Sequence, residues 1–321
     1  MQSPMKAIAE ALRNGSSFLV AAHYNPDGDA IGSTAALGHV LTALGKEVTL
    51  FNHSGTNCRY DWVKLPSPIV SELPEKLPEW TIILDCGNDE RMGETLRSRL
   101  DETRVINIDH HLGNPMFGEL NWVDVSHPAV GTMIAALAEE LDVPLDGPIA
   151  EAVYMATSTD TGFFTYGNTT PESLELAAKL LRNGLDLQTV NMNITKQWTE
   201  NRLRLTNEVL GGVELFENGQ VAVAPVTREM FERTGTVASD TEEIINFVRK
   251  LKSVRVAALL REEGDEQWKF SLRAYGEDNV QEVAASFDGG GHKNAAGGMV
   301  YGTLEEARKT LVERITTMLG L

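Results

Sequence analysis

Seven residues, Val105-Ile106-Asn107-Ile108-Asp109-His110-His111, constrain this chain more than any other stretch. A short β-branched run that stops on an acid and two imidazoles reads as a buried strand carrying polar groups at its C-terminal end. Three other segments have the same form. Ser17 to Asp29 is an apolar run followed by His23, Asp27 and Asp29, and Thr81 to Asp85 is an apolar run ending in an acid. Ala156 to Gly162 sets Asp160 behind a largely apolar segment. In an open α/β sheet, sites form outside the carboxyl ends of the strands. Four acid- or His-bearing ends in one domain therefore point to a metal site.

Helical patterns separate these runs. They cover residues 5–14, Asp29 to about Leu44, 91–100 and 148–158, with a turn and helix over 126–141, and a helix starts at Thr170-Pro171 with a capping residue and a first-turn acid. Strand patterns at 17–23, 47–51, 81–85, 105–109 and 122–124 alternate with them. Residues 1–187 are thus expected to form an α/β domain around a doubly wound, mostly parallel sheet. Residues 188–209 are polar and read as a helical connector. From 210 to 321 the pattern becomes that of a second, smaller α+β domain. It has a hairpin signal at Asn218-Gly219, a helix over 239–251, strands at 254–260 and 268–274, a helix over 280–287 and a terminal helix over 304–319.

Composition excludes some functions. The net charge of −18 argues against a long basic track for nucleic acid. It leaves room for a short phosphorylated substrate held by cations and a few basic side chains. No apolar run approaches the roughly 20 residues that span a bilayer, so no membrane partner is expected. The N-terminal stretch lacks the apolar core and cleavage site of a signal peptide. Cys58 and Cys86 form no zinc spacing, and the cytoplasm is the expected compartment.

Each ligand alone has a plain reading. Asp27 in a Pro-Asp-Gly turn fits turn chemistry, and Asp29 fits an N-cap. Four such ends on one sheet are not independent, and together they outweigh those readings. Carboxylates with one or two imidazoles suit Mn²⁺, Mg²⁺ or Zn²⁺. Two such ions are a standard device for phosphoester hydrolysis. His39, His53 and His127 are expected to be structural, and Cys86 to be packing. In the second half, Gly289, Gly290 and Gly291 can turn backbone N–H groups toward an anion. His292 and Lys293 can reach phosphate oxygens, and the small residues after Lys293 suit a helix start.

These residues also carry a family resemblance. HYNPDGDAIGS (23–33), ILDCG (83–87), IDHH (108–111) and STDTG (158–162) resemble motifs one to four of the DHH phosphoesterase superfamily. GGGHKNAAGG (289–298) resembles the closing motif of its DHHA1 subfamily domain. The resemblance implies that His23, Asp27 and Asp85 hold one Mn²⁺, and that Asp29, Asp85, His110 and Asp160 hold another, with Asp85 bridging. It implies that Asp109 orients a histidine, that His111 lies beside the scissile phosphate, and that Arg273 and the glycine-rich loop bind substrate. Asn25 and Ser158 are weaker supporting candidates. One departure is visible: many relatives carry a basic residue shortly after the fourth motif, where this chain has Thr165.

The length and layout resemble members that act on very short RNA and on 3′-phosphoadenosine 5′-phosphate (pAp). The expected activity is metal-dependent release of mononucleotides from such RNA and of phosphate from pAp. Hydrolysis of linear or cyclic dinucleotides, such as pApA or cyclic di-AMP, is an alternative. Inorganic pyrophosphatase is another, and GGGHKNAAGG argues against it. The complete ligand set argues against a nucleotide-binding regulator without catalysis. A homodimer is one assembly left open.

Overall fold

The computed structural model describes residues 3–56 and 58–320, and the side chains of Cys58 and His292 lie outside that description. The chain divides into two compact units, Met1–Gln197 and Trp198–Leu321. Each has a six-stranded sheet.

The first unit runs α1 (Pro4–Asn14), β1 (Ser17–Ala22), α2 (Gly28–Ala43), β2 (Glu47–Phe51), β3 (Ile69–Val70), β4 (Trp80–Leu84), α3 (Glu94–Arg97), β5 (Arg104–Asp109), β6 (Leu120–Val123), α4 (Val130–Glu140), α5 (Gly147–Asp160), α6 (Pro171–Arg182) and α7 (Leu187–Thr195). Its strands are all parallel, in the order β3-β2-β1-β4-β5-β6. Strand β4 is buried throughout and β1 nearly so, as central strands covered on both faces must be. The order reverses between β1 and β4, so a crevice opens beyond their carboxyl ends. Register then aligns the polar ends. Ala22 pairs with Leu84 and Leu84 with Ile108. The next residues along, His23, Asp85 and Asp109, consequently emerge side by side.

Close helix packing seats the remaining acids. A Cβ on Gly32 of α2 would stand 2.7 Å from the Ala152 carbonyl oxygen of α5, and one on Gly131 of α4 would stand 2.4 Å from the Ala156 Cβ. Three helices therefore meet on glycine and alanine, which brings Asp29 and Asp160 into one crevice.

The second unit runs α8 (Glu200–Gly211), β7 (Glu214–Phe216), β8 (Val221–Val226), α9 (Arg228–Thr234), α10 (Ile244–Val248), β9 (Val256–Gly264), β10 (Gln267–Ala274), α11 (Val280–Ala285), β11 (Gly290–His292), β12 (Ala295–Tyr301) and α12 (Leu304–Leu319). Its sheet is ordered β11-β12-β10-β9-β8-β7 and is antiparallel except for the β8–β9 pair. Asn218 and Gly219 take positive φ values of 55° and 86° between β7 and β8, the turn conformation their types favour.

Four local expectations are corrected. Residues 188–209 are no single connector: Val190 and Ile194 of α7 join the core of the first unit, while Leu205 and Val209 of α8 join a core of the second. The helix expected over 91–100 shrinks to α3, because Gly93 at φ 89° breaks it against the His53 ring. The helix over 239–251 is reduced to a 3-10 turn and α10, interrupted by Glu243 at φ 68°. The chain after Lys293 starts no helix but returns as β12, antiparallel to β11. Gly291 at φ 142° allows that close return, since a Cβ there would stand 2.4 Å from the Ala295 carbonyl oxygen.

Candidate metal centre

Asp27 caps α2: its Oδ1 accepts from the backbone N–H groups of Asp29 (3.0 Å) and Ala30 (3.1 Å). Its Oδ2 is left 3.8 Å from His23 Nε2. Turn chemistry therefore occupies one oxygen of this carboxylate and leaves the other able to face a cation. Asp29 is one residue inside the helix and buried, and its two oxygens accept from Val130 N (2.7 Å) and Gly131 N (2.9 Å) at the start of α4. A helix N-terminus supplies the partial positive charge that a buried carboxylate needs.

Asp85 holds the centre. It takes φ 53° at the end of β4, a left-handed conformation that costs a non-glycine residue about 1–3 kcal/mol. Its Oδ2 lies 3.6 Å from His23 Nε2, and its Oδ1 lies 3.5 Å from His110 Nε2. His110 Nε2 is also 3.5 Å from Asp160 Oδ2 and 3.8 Å from Asp29 Oδ2. Two groups result, His23–Asp27–Asp85 and Asp29–His110–Asp160, and each could hold a metal ion. Asp85 faces one group with each oxygen.

Both imidazoles are oriented through their other nitrogen. His23 Nδ1 donates to its neighbour's carbonyl, Tyr24 O, at 2.9 Å, and His110 Nδ1 donates to His127 O at 3.1 Å. This fixes Nε2 as the atom turned toward the acids. The His127 carbonyl thus aims His110, one of the candidate ligands. The His127 ring is itself held 2.8 Å from Thr132 Oγ1.

Burial disfavours charge on both rings, but the carboxylates prevail. His23, facing Asp27 and Asp85, and His110, facing Asp85 and Asp29, are pushed up to about 10. Burial, with repulsion from Asp85 and Asp160, raises Asp29 well above the carboxylate range. Burial likewise raises Asp160 to about 7. For Asp85 burial acts upward too, but His110 and His23 hold it well below the usual range. Four acids in one crevice thus require positive charge, which protons or cations can supply. The donor set, hard carboxylate oxygens with two imidazoles, fits Mn²⁺, Mg²⁺ or Zn²⁺. Asp85 Oδ1 is buried and accepts no hydrogen bond among the described residues, which suits a metal-facing atom.

His111 differs from its neighbour. It also falls in a group with Asp85 and His110 that could hold a metal. Its Nδ1, however, lies 2.8 Å from Asp109 Oδ1, a shorter contact than the 3.6 Å to Asp85 Oδ1. Burial would raise the Asp109 pKa, and the bonds from His111 and Asn114 reverse this and lower it. Of the weaker candidates, Ser158 donates to its own helix at Met155 O, and Asn25 offers its backbone N–H to Ser54 Oγ. Cys86 is buried and its thiol is pushed up to about 12 by that burial.

In the second unit, Gly289 leads directly into β11, whose first two residues are Gly290 and Gly291, and Arg273 projects from β10 with Nη1 donating to Leu272 O at 2.9 Å. Lys293 is exposed and pairs with Glu277 at 2.8 Å. His292 belongs to β11, and its side chain is outside the described set.

Sequence reasoning missed three asparagines, Asn107, Asn114 and Asn121, which bond one another and reach Asp109. The signal was present: an amide interrupts the β-branched run at Asn107, and another follows His111 by three residues.

Two family models match the chain, the DHH family N-terminal domain over residues 17–157 and the DHHA1 domain over residues 218–319. A Thermus thermophilus protein named bifunctional oligoribonuclease and PAP phosphatase NrnA is 33% identical over 97% of this chain and 93% of its own. A Bacillus subtilis protein of the same name is 27% identical over 91% of each. Among solved structures, an exopolyphosphatase-related protein from Bacteroides fragilis superposes with a TM-score of 0.91 at 26% identity, covering 100% of this chain and 97% of that one. No helix among the described residues is long and apolar enough to cross a membrane.

Proposed function

This chain belongs to the DHH family and carries a DHHA1 domain, and on that premise we propose that it is a Mn²⁺-dependent phosphoesterase that degrades very short RNA to mononucleotides and converts pAp to AMP. The observation that carries the reading is the division of Asp85, with one oxygen toward His23 and the other toward His110. His23, Asp27 and Asp85 would hold one cation, and Asp29, Asp85, His110 and Asp160 a second. Bound there, divalent cations supply Lewis-acid stabilisation of phosphoryl charge and a water ready for attack.

The chain's own residues do the rest. The backbone carbonyls of Tyr24 and His127 keep the two ligating rings aimed. The N-terminus of α4 keeps Asp29 in one rotamer. Asp109 orients His111 so that Nε2 faces the substrate, either neutralising the phosphate or donating a proton to the leaving oxygen. Arg273, Lys293, His292 and the backbone of Gly289, Gly290 and Gly291 bind substrate anion. An Arg fork suits a terminal phosphate. The names of the Thermus and Bacillus relatives support this choice of substrates.

The test is product analysis with Mn²⁺ on 5′-labelled RNA, from dinucleotides to oligomers of about twenty-four residues, with pAp, cyclic di-AMP and pyrophosphate in parallel. Mononucleotide release from the shortest RNAs together with pAp cleavage is the expected result. Activity confined to pyrophosphate or cyclic dinucleotide would keep the metal centre and overturn the substrate assignment.

A further inference from the structure

Asp109 is fully buried, and its two oxygens have separate partners. Oδ1 accepts from His111 Nδ1, and Oδ2 accepts from Asn114 Nδ2 at 2.7 Å. Behind Asn114 stands Asn107, fully buried in β5, whose Nδ2 donates to Asn114 Oδ1 (2.9 Å) and to Asn121 Oδ1 (3.2 Å) on the adjacent strand β6. Asn107 and Asn121 are register partners, so the sheet itself brings them face to face.

The direction of this chain of amides is fixed at both ends. An amide oxygen and nitrogen are told apart only by their partners. Met116 N donates to Asn114 Oδ1 at 2.8 Å, and Gly118 N donates to Asn121 Oδ1 at 2.9 Å. A backbone N–H can only donate, so both those atoms are oxygens. Asn107 must then present its NH₂ to both, and Asn114 must present its NH₂ toward Asp109. The same Asn114 Nδ2 also reaches Cys86 O at 3.2 Å, in the loop that follows Asp85. A buried amide this far inside a sheet would be costly unless satisfied, and here each strong donor has an acceptor. Gly118 leaves room for the array, since a Cβ there would stand 3.0 Å from Asn107 N and 3.1 Å from Asn121 Oδ1.

We propose that Asn114, seated on Asn107 and Asn121, is a positioning residue for His111: it locks the Asp109 carboxylate so that the imidazole keeps its proton on Nδ1 and turns Nε2 toward the substrate. Without the Asn114 bond, Asp109 Oδ2 has lost its donor and the carboxylate turns. His111 then populates both tautomers and more than one ring orientation. The kinetic consequence rests on the phosphoesterase reading, and the tautomer consequence does not.

Two measurements on Asn114→Ala test this. In metal-free protein labelled with ¹⁵N-histidine, the wild type should show a single Nδ1–H tautomer for His111, and the variant a mixture. In Mn²⁺-loaded protein, kcat on the preferred RNA or pAp should fall about 10²-fold, the low end of a general acid–base contribution. KM and the Mn²⁺ affinity measured by calorimetry should stay within about twofold, as expected of a group that acts only in the transition state. On a His111→Ala background the same substitution should cost nothing further. Equal losses on both backgrounds, or an unchanged tautomer in Asn114→Ala, would overturn the proposal. If Asn114→Ala does not fold, Asn107→Leu breaks the chain one link back. It leaves Asn114 Oδ1 and Asn121 Oδ1 with their backbone donors, and a smaller loss of the same pattern is expected. A wild type inactive on every phosphoester would sink the functional reading, and the tautomer measurement would still decide this one.

Discussion

The crevice beyond β1, β4 and β5 and the glycine hairpin of β11 and β12 both carry polar groups suited to phosphate chemistry, yet they are built in opposite ways. In the crevice, His23, Asp29, Asp85 and Asp109 are buried; the Tyr24 carbonyl orients His23, the amides of Val130 and Gly131 hold Asp29, Asn114 holds Asp109, and Asp85 faces His23 and His110. In the hairpin, Lys293 is exposed and its partner is the exposed Glu277. The first arrangement stores electrostatic tension that a cation can relieve. The second holds a surface charge in a pair of the kind worth about 0–1 kcal/mol, so exchanging Glu277 for a substrate phosphate costs little. Groups expected to touch reacting atoms are locked, while groups expected to grip remain exchangeable.

The comparison breaks most visibly at Asp85. Asp85→Asn removes the charge that faces both His23 and His110, and turnover should fall by about 10³-fold or more, with Mn²⁺ binding by calorimetry lost in parallel. A well-folded variant with near-normal turnover would refute the bridging role. The next effect is thermal. A metal that binds only the folded first unit at a concentration of 100 times Kd adds about 2.7 kcal/mol. For a unit of this size that amounts to roughly 5–10 °C. Calorimetry should show this shift in one of two transitions and leave the other unmoved by Mn²⁺ or chelator. A shift of both by the same amount would mean that the units do not melt separately.

A smaller effect belongs to the hairpin. Arg273→Ala should raise KM about tenfold with kcat and Mn²⁺ affinity nearly unchanged, because it removes binding common to ground and transition states. An equal fall in kcat would move Arg273 into the reacting site.

The smallest is a pH effect on metal-free protein. Folded Asp160 keeps its proton to about pH 7, whereas the unfolded residue loses it near 4. The native state thus binds the extra proton, and its stability falls as pH rises through that window. Folded His23 and His110 hold theirs to about 10 against 6.5, so a second decline runs between those values. The first transition should lose Tm across both windows, Mn²⁺ should flatten the loss, and the second transition should not follow. A first transition flat from pH 5 to 10 after chelation would show that the cluster carries no such tension.

Much of this was legible beforehand because it is local. Apolar runs ending in His23, Asp85 and Asp109 declared buried strands with polar ends. The capping pattern Asn-Pro-Asp-Gly-Asp opened α2 where expected, and the alternation of strands and helices announced a doubly wound sheet. The hairpin after Lys293 was misread because glycines and alanines satisfy both a helix start and a close strand return. Gly291 at φ 142° and its pairing with Ala296 chose the strand. The 188–209 segment was misread because polarity hid two short apolar faces, Val190–Ile194 and Leu205–Val209, that pack on different cores.

The sequence by itself determined which residue types stand at the strand ends, and therefore the ligand chemistry, since that follows from composition over a few neighbouring positions. Only the tertiary structure decided how they are used. Asp29 meets the amides of Val130 and Gly131 about a hundred positions away, Asp85 turns one oxygen to each group, and Asn107 meets Asn121 across a strand pair. Such contacts depend on sheet register and on how closely α2, α4 and α5 approach, and no window of local sequence contains either.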